Sequence, residues 1–493
     1  MQASRLLLLF PLISTVLAPP STASEDALQV GDISELDLSR MARILPPEEV
    51  VTVTAEPRSL SLDEALRIAL EKSLRIQIAT ADVDTFEPEV DAQRAFFHPT
   101  LAGDALVGET SERLRNVTDT FETHDARGYL RQEVPTGGTI AVGGEWLNES
   151  PNRGYRSELA GAFVEVRQPL LRGGRIYVSR RFIEDAESDL EIQQARLAAE
   201  VLDVAAQTKV AYYNTVLSAR LIQVIEAAIV RDRELIEASR ALFDAGRVTR
   251  RDVVSAEIKL SKDRIDLASR EGEREAAENL LRDVLGTPIG LDLRVTDREI
   301  PFRPIALHLE QWIQIALDRR PELMEIRKRL EKAELDTRVR QNDLLPVLDV
   351  VGGGRQDLRS GHSQNYDWRV GGLFEYPLGN VAAERRLEAA RAFEIRTRRE
   401  YEQTERAIEL EVRQIEISLR ESTSRLRDLI RGVEQARAKR EVAKVRFELG
   451  QADNFDITDA DDDLVAAESD LLRAVVDYAN NIALLEARIA SPI

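Results

Sequence analysis

The chain carries one pattern twice. Residues 62–101 and 309–348 share it at a fixed spacing: Leu62 answers Leu309, Ala69-Leu70 answers Ala316-Leu317, and Pro99 answers Pro346. A second match sets Phe243-Asp-Ala-Gly246 and Asp252 against Phe447-Glu-Leu-Gly450 and Asp456. Between the two blocks Pro169-Leu170 answers Pro377-Leu378. Each copy reads as helix, extended segment, Pro-Leu, very long helix, glycine-marked turn and helix. Self-similarity restricts such a chain more than composition does, because it fixes the architecture before any element is assigned. The period is far too long for a solenoid unit. It means two copies of a whole supersecondary module, and a pseudo-symmetric product.

Charged residues make up 31% of the 493 residues and aromatics 5%, a balance that suits long amphipathic helices better than a compact mixed core. The net charge of -20 argues against nucleic acid as a partner, which needs a basic footprint. The absence of cysteine excludes disulfides, thiol catalysis, zinc-thiolate sites and a lipidated N-terminal cysteine. At the N-terminus Arg5 precedes an apolar core, Leu6 to Leu17, and then Ser21-Thr-Ala23 with small residues where a signal peptidase reads. This is the pattern of a Sec signal peptide, 1–23, with cleavage expected after Ala23. A membrane anchor is the alternative, but a helical span needs ~20 apolar residues. No second apolar run of that length follows, so the exported chain is expected to be soluble or a β-barrel.

Residues 24–58, with Pro46, Pro47 and Pro57, read as a linker or arm. At Ser61 the pattern turns helical, with Glu64 at capping-box spacing and Leu62, Ala65, Leu66, Ala69 and Leu70 on one face. This helix is expected to run to about Phe96 and to stop before Pro99. From Thr100 to Gln168 the period becomes two: Ile140, Val142 and Trp146 alternate with Thr139, Ala141 and Glu145. Residues 113–127 and 148–156 are polar and read as loop-like insertions. In the second copy Tyr366, Trp368, Val370, Phe374 and Tyr376 share one face, against Asp367, Arg369 and Glu375, with Leu373 as an exception. Strands of this kind suit a wall between lipid and water; a half-buried strand of a soluble sheet is the alternative. The stretch from Pro99 to Pro169 is more than twice that from Pro346 to Pro377. Val134-Pro-Thr-Gly-Gly-Thr139 within it reads as a turn, so four strands are expected in the first copy and two in the second.

Residues 178–243 lack proline and glycine, which predicts a rod of roughly 100 Å. Its apolar residues, among them Leu197, Val201, Val204, Ala205, Thr208, Ala211 and Tyr212, keep a narrow stripe near a 3.5-residue period, the pattern of supercoiled packing. The second rod is expected from about Val381 to Leu449, interrupted only by Gly432. Rods this long with so narrow an apolar face must pack laterally, within the chain and between chains.

This ordered duplicate, with its signal peptide, resembles the TolC-like outer-membrane efflux proteins over about residues 58–489. Gln168-Pro-Leu-Leu-Arg-Gly-Gly174 looks like their strand-to-rod junction, and Phe447-Glu-Leu-Gly-Gln-Ala-Asp-Asn-Phe-Asp456 like their turn at the periplasmic tip. The resemblance implies a mainly α fold with a membrane β-barrel portion: a homotrimer whose strands close one barrel in outer-membrane lipid and whose rods form an α-helical tunnel through the periplasm. It implies an outer-membrane channel, the exit duct of a tripartite efflux or type I secretion system, passively conducting solutes or polypeptides. Its partners would be a periplasmic membrane-fusion adaptor and an inner-membrane pump. The family typically gives four strands per subunit; six would widen the barrel. The domains follow as 59–290 for the first repeat (strands about 99–170, rods about 173–286) and 291–493 for the second (strands about 346–377, rods about 381–489).

Six aspartates crowd the second tip: Asp453, Asp456, Asp459, Asp461, Asp462 and Asp463. Capping explains a few of them, with Gly450 ending one rod in a left-handed turn and an aspartate opening the next helix. The resemblance implies that acidic residues matching Asp456 and Asp459, with Asp453 beside them, line the periplasmic aperture, where three copies of each would form anionic rings that favour cations and bind blocking divalent ions. The first tip, turning at Gly246, has the opposite sign: Arg247, Arg250 and Arg251 surround Asp252. These arginines are candidates for a latch that pairs with the aspartates and holds the tunnel shut. A solvated loop, worth ~0–1 kcal/mol per exposed pair, is the alternative.

His98, His124, His308 and His362 have no partners at metal-ligand spacing. No phosphate loop, nucleophile elbow or HExxH is present, so neither enzymatic activity nor a cofactor is expected. Asn116-Val-Thr118 matches a glycosylation pattern by chance. Trp146, Tyr155, Trp368 and Tyr376 fit interfacial aromatic belts or interior packing. A periplasmic coiled-coil adaptor or scaffold without a barrel is the competing reading. It accounts for the rods but not for the strands and the two Pro-Leu junctions.

Overall fold

The computed structural model describes residues 58–491 except 115–116, 152–156, 289–292, 297–299, 301, 303 and 359–365. The signal-peptide segment, nearly all of the 24–58 arm, Asn116, Tyr155 and His362 lie outside the described residues. In chain order the first repeat contains β1 (Arg58–Leu60), α1 (Leu62–Lys72), α2 (Leu74–Arg94), β2 (Thr100–Leu114), β3 (Val117–Glu133), β4 (Thr139–Pro151), β5 (Ser157–Pro169), α3 (Ile176–Ser179), α4 (Arg181–Asp244) and α5 (Arg250–Val284). After β6 (Leu293–Val295) come α6 (Leu309–Arg319), α7 (Pro321–Asn342), β7 (Val347–Asp357), β8 (Tyr366–Glu375), α8 (Val381–Glu448) and α9 (Asn454–Arg488).

The opening helix is not continuous to Phe96. It breaks at Ser73, whose backbone leaves the helical region, and ends in a 3-10 turn over Ala95–Phe97. Ser61 caps α1 by accepting from Glu64 N. The break faces the turn after α5: a Cβ on Gly286 would lie 2.4 Å from the Lys72 carbonyl oxygen, so only glycine permits this approach. Gly432 does not interrupt α8, which runs through it.

Rod α4 packs on α2 and α7 and on α5 and α9; rod α8 packs on α6, α7 and α9. Along α4 the buried residues include Thr208, Ala211, Thr215, Ser218, Ile222, Ile225, Ile229, Asp232, Ile236 and Ser239. Their alternating steps of three and four form a heptad seam. The first repeat's core gathers Leu60, Ala69, Tyr212, Val216, Leu281 and Leu285, and the second's gathers Trp312, Ala316, Val412, Leu419, Tyr478 and Leu485. Tyr212 donates its hydroxyl hydrogen to the Leu60 carbonyl at 3.1 Å.

Six strands form one antiparallel sheet in the order β2-β3-β4-β5-β7-β8. Residues 113–114 and 117–127 are therefore not a loop insertion but the far ends of β2 and β3, and 148–151 continue β4. The register sorts the side chains by chemistry. Leu101, Leu130, Val142, Val164, Gly354 and Trp368 fall on one row of one face. Asp104, Arg127, Glu145 and Gly161 align on the other face, as do Ala141, Glu165, Gly353 and Arg369. The charged face lines a concavity of about 630 Å³ and is tied by ion pairs between strands: Arg167–Asp349, Arg355–Glu145 and Arg369–Glu165. Trp146 and Trp368 lie on the apolar face, which fits the lipid-facing side of a barrel wall.

The first Pro-Leu junction is bound to the helix-to-strand turn of the second repeat. Leu170 N donates to Leu348 O at 2.8 Å and Arg172 N to Pro346 O. The buried Asn342 accepts from Gly173 N at 2.8 Å and donates to Leu171 O at 3.2 Å. The first rod thus leaves the sheet beside the point where the second repeat's short helix α7 enters it.

Candidate functional site at the helical tip

Both tips are built alike. Gly246 (φ 69°) and Gly450 (φ 71°) end their rods in the left-handed conformation. Arg247 N then donates to Leu242 O at 2.9 Å, and Gln451 N to Arg446 O at 2.8 Å, closing equivalent Schellman turns. Thr249 and Asp252 form a capping box at the start of α5, the Asp252 carboxylate accepting from Thr249 N and Oγ1. Asp453 caps α9 by accepting from Asp456 N at 3.1 Å. Beneath the turns Leu235, Ile236, Ala256, Phe447 and Ile457 form a small core shared by all four tip helices. Asn454, 1% exposed, donates to Asp252 O at 2.7 Å and exchanges hydrogen bonds with Ser239, joining the two turns. No sequence motif marks Asn454; its one signal is a polar residue at a core position.

The six aspartates separate by environment. Asp459 and Asp463 both accept from Lys439 at 2.5 Å, and these hydrogen bonds push the Lys439 ammonium above its ordinary value. Asp461 is buried between Arg231 on α4 (2.9 Å) and Arg440 on α8 (3.0 Å). Asp462 meets Lys259 at 3.0 Å. Asp456 is exposed and its carboxylate makes no ion pair among the described residues; Asp453 serves as the cap. Arg247, Arg250 and Arg251 are exposed and form no ion pair among the described residues. The cations that meet the aspartates are instead Lys439, Arg231, Arg440, Lys259 and, more distantly, Lys262, none of which the sequence singled out. Their signal is position: Lys439 and Asp459 stand at nearly equal distances on either side of Gly450, as partners across a helical hairpin must.

Above the tip lies a buried charge layer. Lys259 binds both oxygens of Asp263 at 2.5 Å. Beside them Asp232 occupies a heptad position, 2% exposed, with Oδ2 lacking a hydrogen-bond partner. Burial above all pushes the Asp232 carboxyl up from 3.8 to about 7; Lys259 opposes this, and Asp263 and Asp461 reinforce it. Burial lowers the Lys259 ammonium, but Asp263 and Asp232 outweigh it and the group ends above its ordinary value. An acid whose pKa is raised by folding holds its proton more tightly in the native state, so its stabilising contribution is full below pH 3.8 and is lost as pH rises through about 7. Asp232→Asn is therefore expected to gain stability over wild type across this window, by at most ~4 kcal/mol at high pH and nothing near pH 4. Parallel pH dependences of the unfolding midpoint for the two proteins would refute this.

Among the described residues no group of three carboxylates, histidines or cysteines is placed to hold a metal ion, and His98, His124 and His308 stand apart. No helix among them is long and apolar enough to cross a membrane.

A family model described as outer membrane efflux protein matches residues 65–287 and 312–490. The chain belongs to this family. The two matched segments each contain one rod and the shorter helices around it. Among curated proteins, this efflux-family chain is 22% identical over 278 residues to the alkaline protease secretion protein AprF of Pseudomonas aeruginosa. That match covers 54% of this chain and 57% of AprF, so it spans little more than half of the relative. Among solved structures, the outer-membrane channel OprN superposes with a TM-score of 0.66 at 18% identity, covering 87% of this chain and 90% of OprN. The outer membrane protein VceC of Vibrio cholerae superposes at 0.65 and 16% identity, covering 87% and 96%. At such identities these likenesses establish the fold: a helical tunnel portion joined to a β-barrel portion.

Proposed function

We propose that this protein is the outer-membrane exit duct of a tripartite efflux or type I secretion system. It is exported by residues 1–23, assembles as a homotrimer of the two-repeat chain, and conducts solutes or polypeptides passively from an inner-membrane pump joined through a periplasmic adaptor. The observation that carries the reading is a sheet charged on its concave face and apolar on the other, joined in one chain to two rods that end in charged turns. A coiled-coil scaffold has no use for such a sheet. The name of AprF, a protease secretion protein, supports polypeptide cargo as one form of this activity.

At the tip, the proposed aperture is lined by Asp456 and Asp459, with Asp453 beside them. Asp456 carries this role best, because its carboxylate has no ion-pair partner among the described residues, whereas Asp459 shares Lys439 with Asp463. The proposed latch of Arg247, Arg250 and Arg251 would act between neighbouring copies, since these residues form no ion pair among the described residues of their own chain. Bilayer recordings test both ideas. Asp456→Ala with Asp459→Ala is expected to raise the divalent-cation concentration that half-blocks the channel about tenfold, as loss of anionic rings requires. Arg250→Ala with Arg251→Ala is expected to raise conductance. Unchanged block or unchanged conductance would sink the respective assignment.

A further inference from the structure

The sheet of one chain is unfinished. Strands β2 and β8 are its two edges, and every residue of β8 is exposed. Bare edges cannot persist in lipid, where each unpaired backbone group costs several kcal/mol, so a membrane sheet must close. These edges lack three of the devices that block pairing in soluble proteins, and the charges of β8, with Asp104 of β2, fall on the face that would line water. Neither strand contains proline or lysine, and the ladders β2–β3 and β7–β8 run without a bulge. With six strands alternating in direction, β2 and β8 run opposite ways. Head-to-tail association of identical copies therefore places β8 of one antiparallel to β2 of the next, and the alternation continues through the seam.

The register agrees with closure. The hydrogen-bonded row from Thr100 passes through Arg131, Ala141, Glu165 and Gly353 to Arg369. It reaches β8 with Val370–Glu375 still to run before the rod begins. With the rod-side ends of neighbouring copies level, this is an offset of one residue per strand. That is ~3.3 Å along for ~4.8 Å across, a tilt of about 35° and within the range of transmembrane barrels. Levelling also sets Glu375 opposite Thr100 of the next copy and Arg369 opposite Leu106, so the charged and apolar faces match across the seam.

We infer that β8 of each copy pairs with β2 of the next to close one barrel of six strands per chain, 18 in a trimer. The trimer count rests on the proposed duct. A barrel of this size is about 34 Å across the backbone and keeps an aqueous lumen. The barrel portion would then be wider than a filter for small solutes, leaving restriction to the helical tip.

The absence of native cysteine makes the seam directly testable. Arg369→Cys is combined in turn with Asp104→Cys, Leu106→Cys or Gly108→Cys, all on the lumen side, and oxidised in isolated outer membranes. The expected result is a disulfide ladder on non-reducing gels ending at three chains for at least one pair, strongest for Leu106. Trp368→Cys with Leu106→Cys, on opposite faces, should give none. Bonds confined to single chains, a ladder ending at two, or no product from any pair would overturn the 18-stranded barrel. Failure of the duct reading appears separately, as protein missing from the outer-membrane fraction before oxidation.

Discussion

Asp461→Ala is expected to destabilise the folded chain by roughly 3–5 kcal/mol, the cost of stripping one partner from a buried ion network. Asp461 on α9 is 3% exposed and lies between Arg231 on α4 and Arg440 on α8. Removing it leaves two guanidinium groups facing each other with little access to water. Arg231 Nη2 already lacks a hydrogen-bond partner, so the network has no slack to absorb the loss. The contrast is Glu257→Ala on the same tip. Its partner Arg240 lies at 2.6 Å, but both side chains are largely exposed, and such pairs contribute about 0–1 kcal/mol. Denaturant unfolding of the two variants beside wild type decides the matter. Equal, small losses would mean that water screens Asp461 as fully as it does the surface pair. Asp461→Asn, which keeps the shape and loses the charge, is expected to fall between.

The second large effect is expected in the sheet. Val142→Arg should cost about 2–4 kcal/mol if the apolar face meets the lipid midplane, while Ala141→Arg, one residue earlier, should cost far less. Val142 lies on the row with Leu130 and Val164, where an arginine has an apolar neighbour on each adjoining strand. Ala141 lies opposite Arg131 and Glu165 on the charged face, where water and a carboxylate are at hand. Folding of each variant into lipid vesicles, titrated with urea, measures the difference. Equal costs would deny the sheet a lipid side, and a reversed order would put the charged face outward.

Several features were legible because they reside in the residues themselves. The tip turns at Gly246 and Gly450 need a positive φ that glycine supplies without strain, and the rods announce themselves by a heptad stripe free of proline and glycine. The break at Ser73 was missed, although the repeat held its signal. The corresponding position in the second copy is Arg320, where Pro321 starts a new helix, and a break forced by proline in one copy foretells a break in the other. The ends of β2 and β3 are polar and so carry the composition of a loop in the sequence. Strand ends that project past an apolar band are held by their ladder and need no apolar face.

Which charges meet at the tip belongs to the other class. The sequence displays six aspartates and three conspicuous arginines, yet within the chain Asp459, Asp461, Asp462 and Asp463 are met by Lys439, Arg231, Arg440 and Lys259. Helix, turn and strand follow from backbone sterics and side-chain periodicity, which act over a few residues. The sequence by itself therefore determined two repeats, their rods and turns, and a sheet with one apolar face. Ion pairing depends on which helix faces come within a few ångströms of each other. That is set by the packing of α4, α5, α8 and α9 around a shared core, and only the tertiary structure decided it.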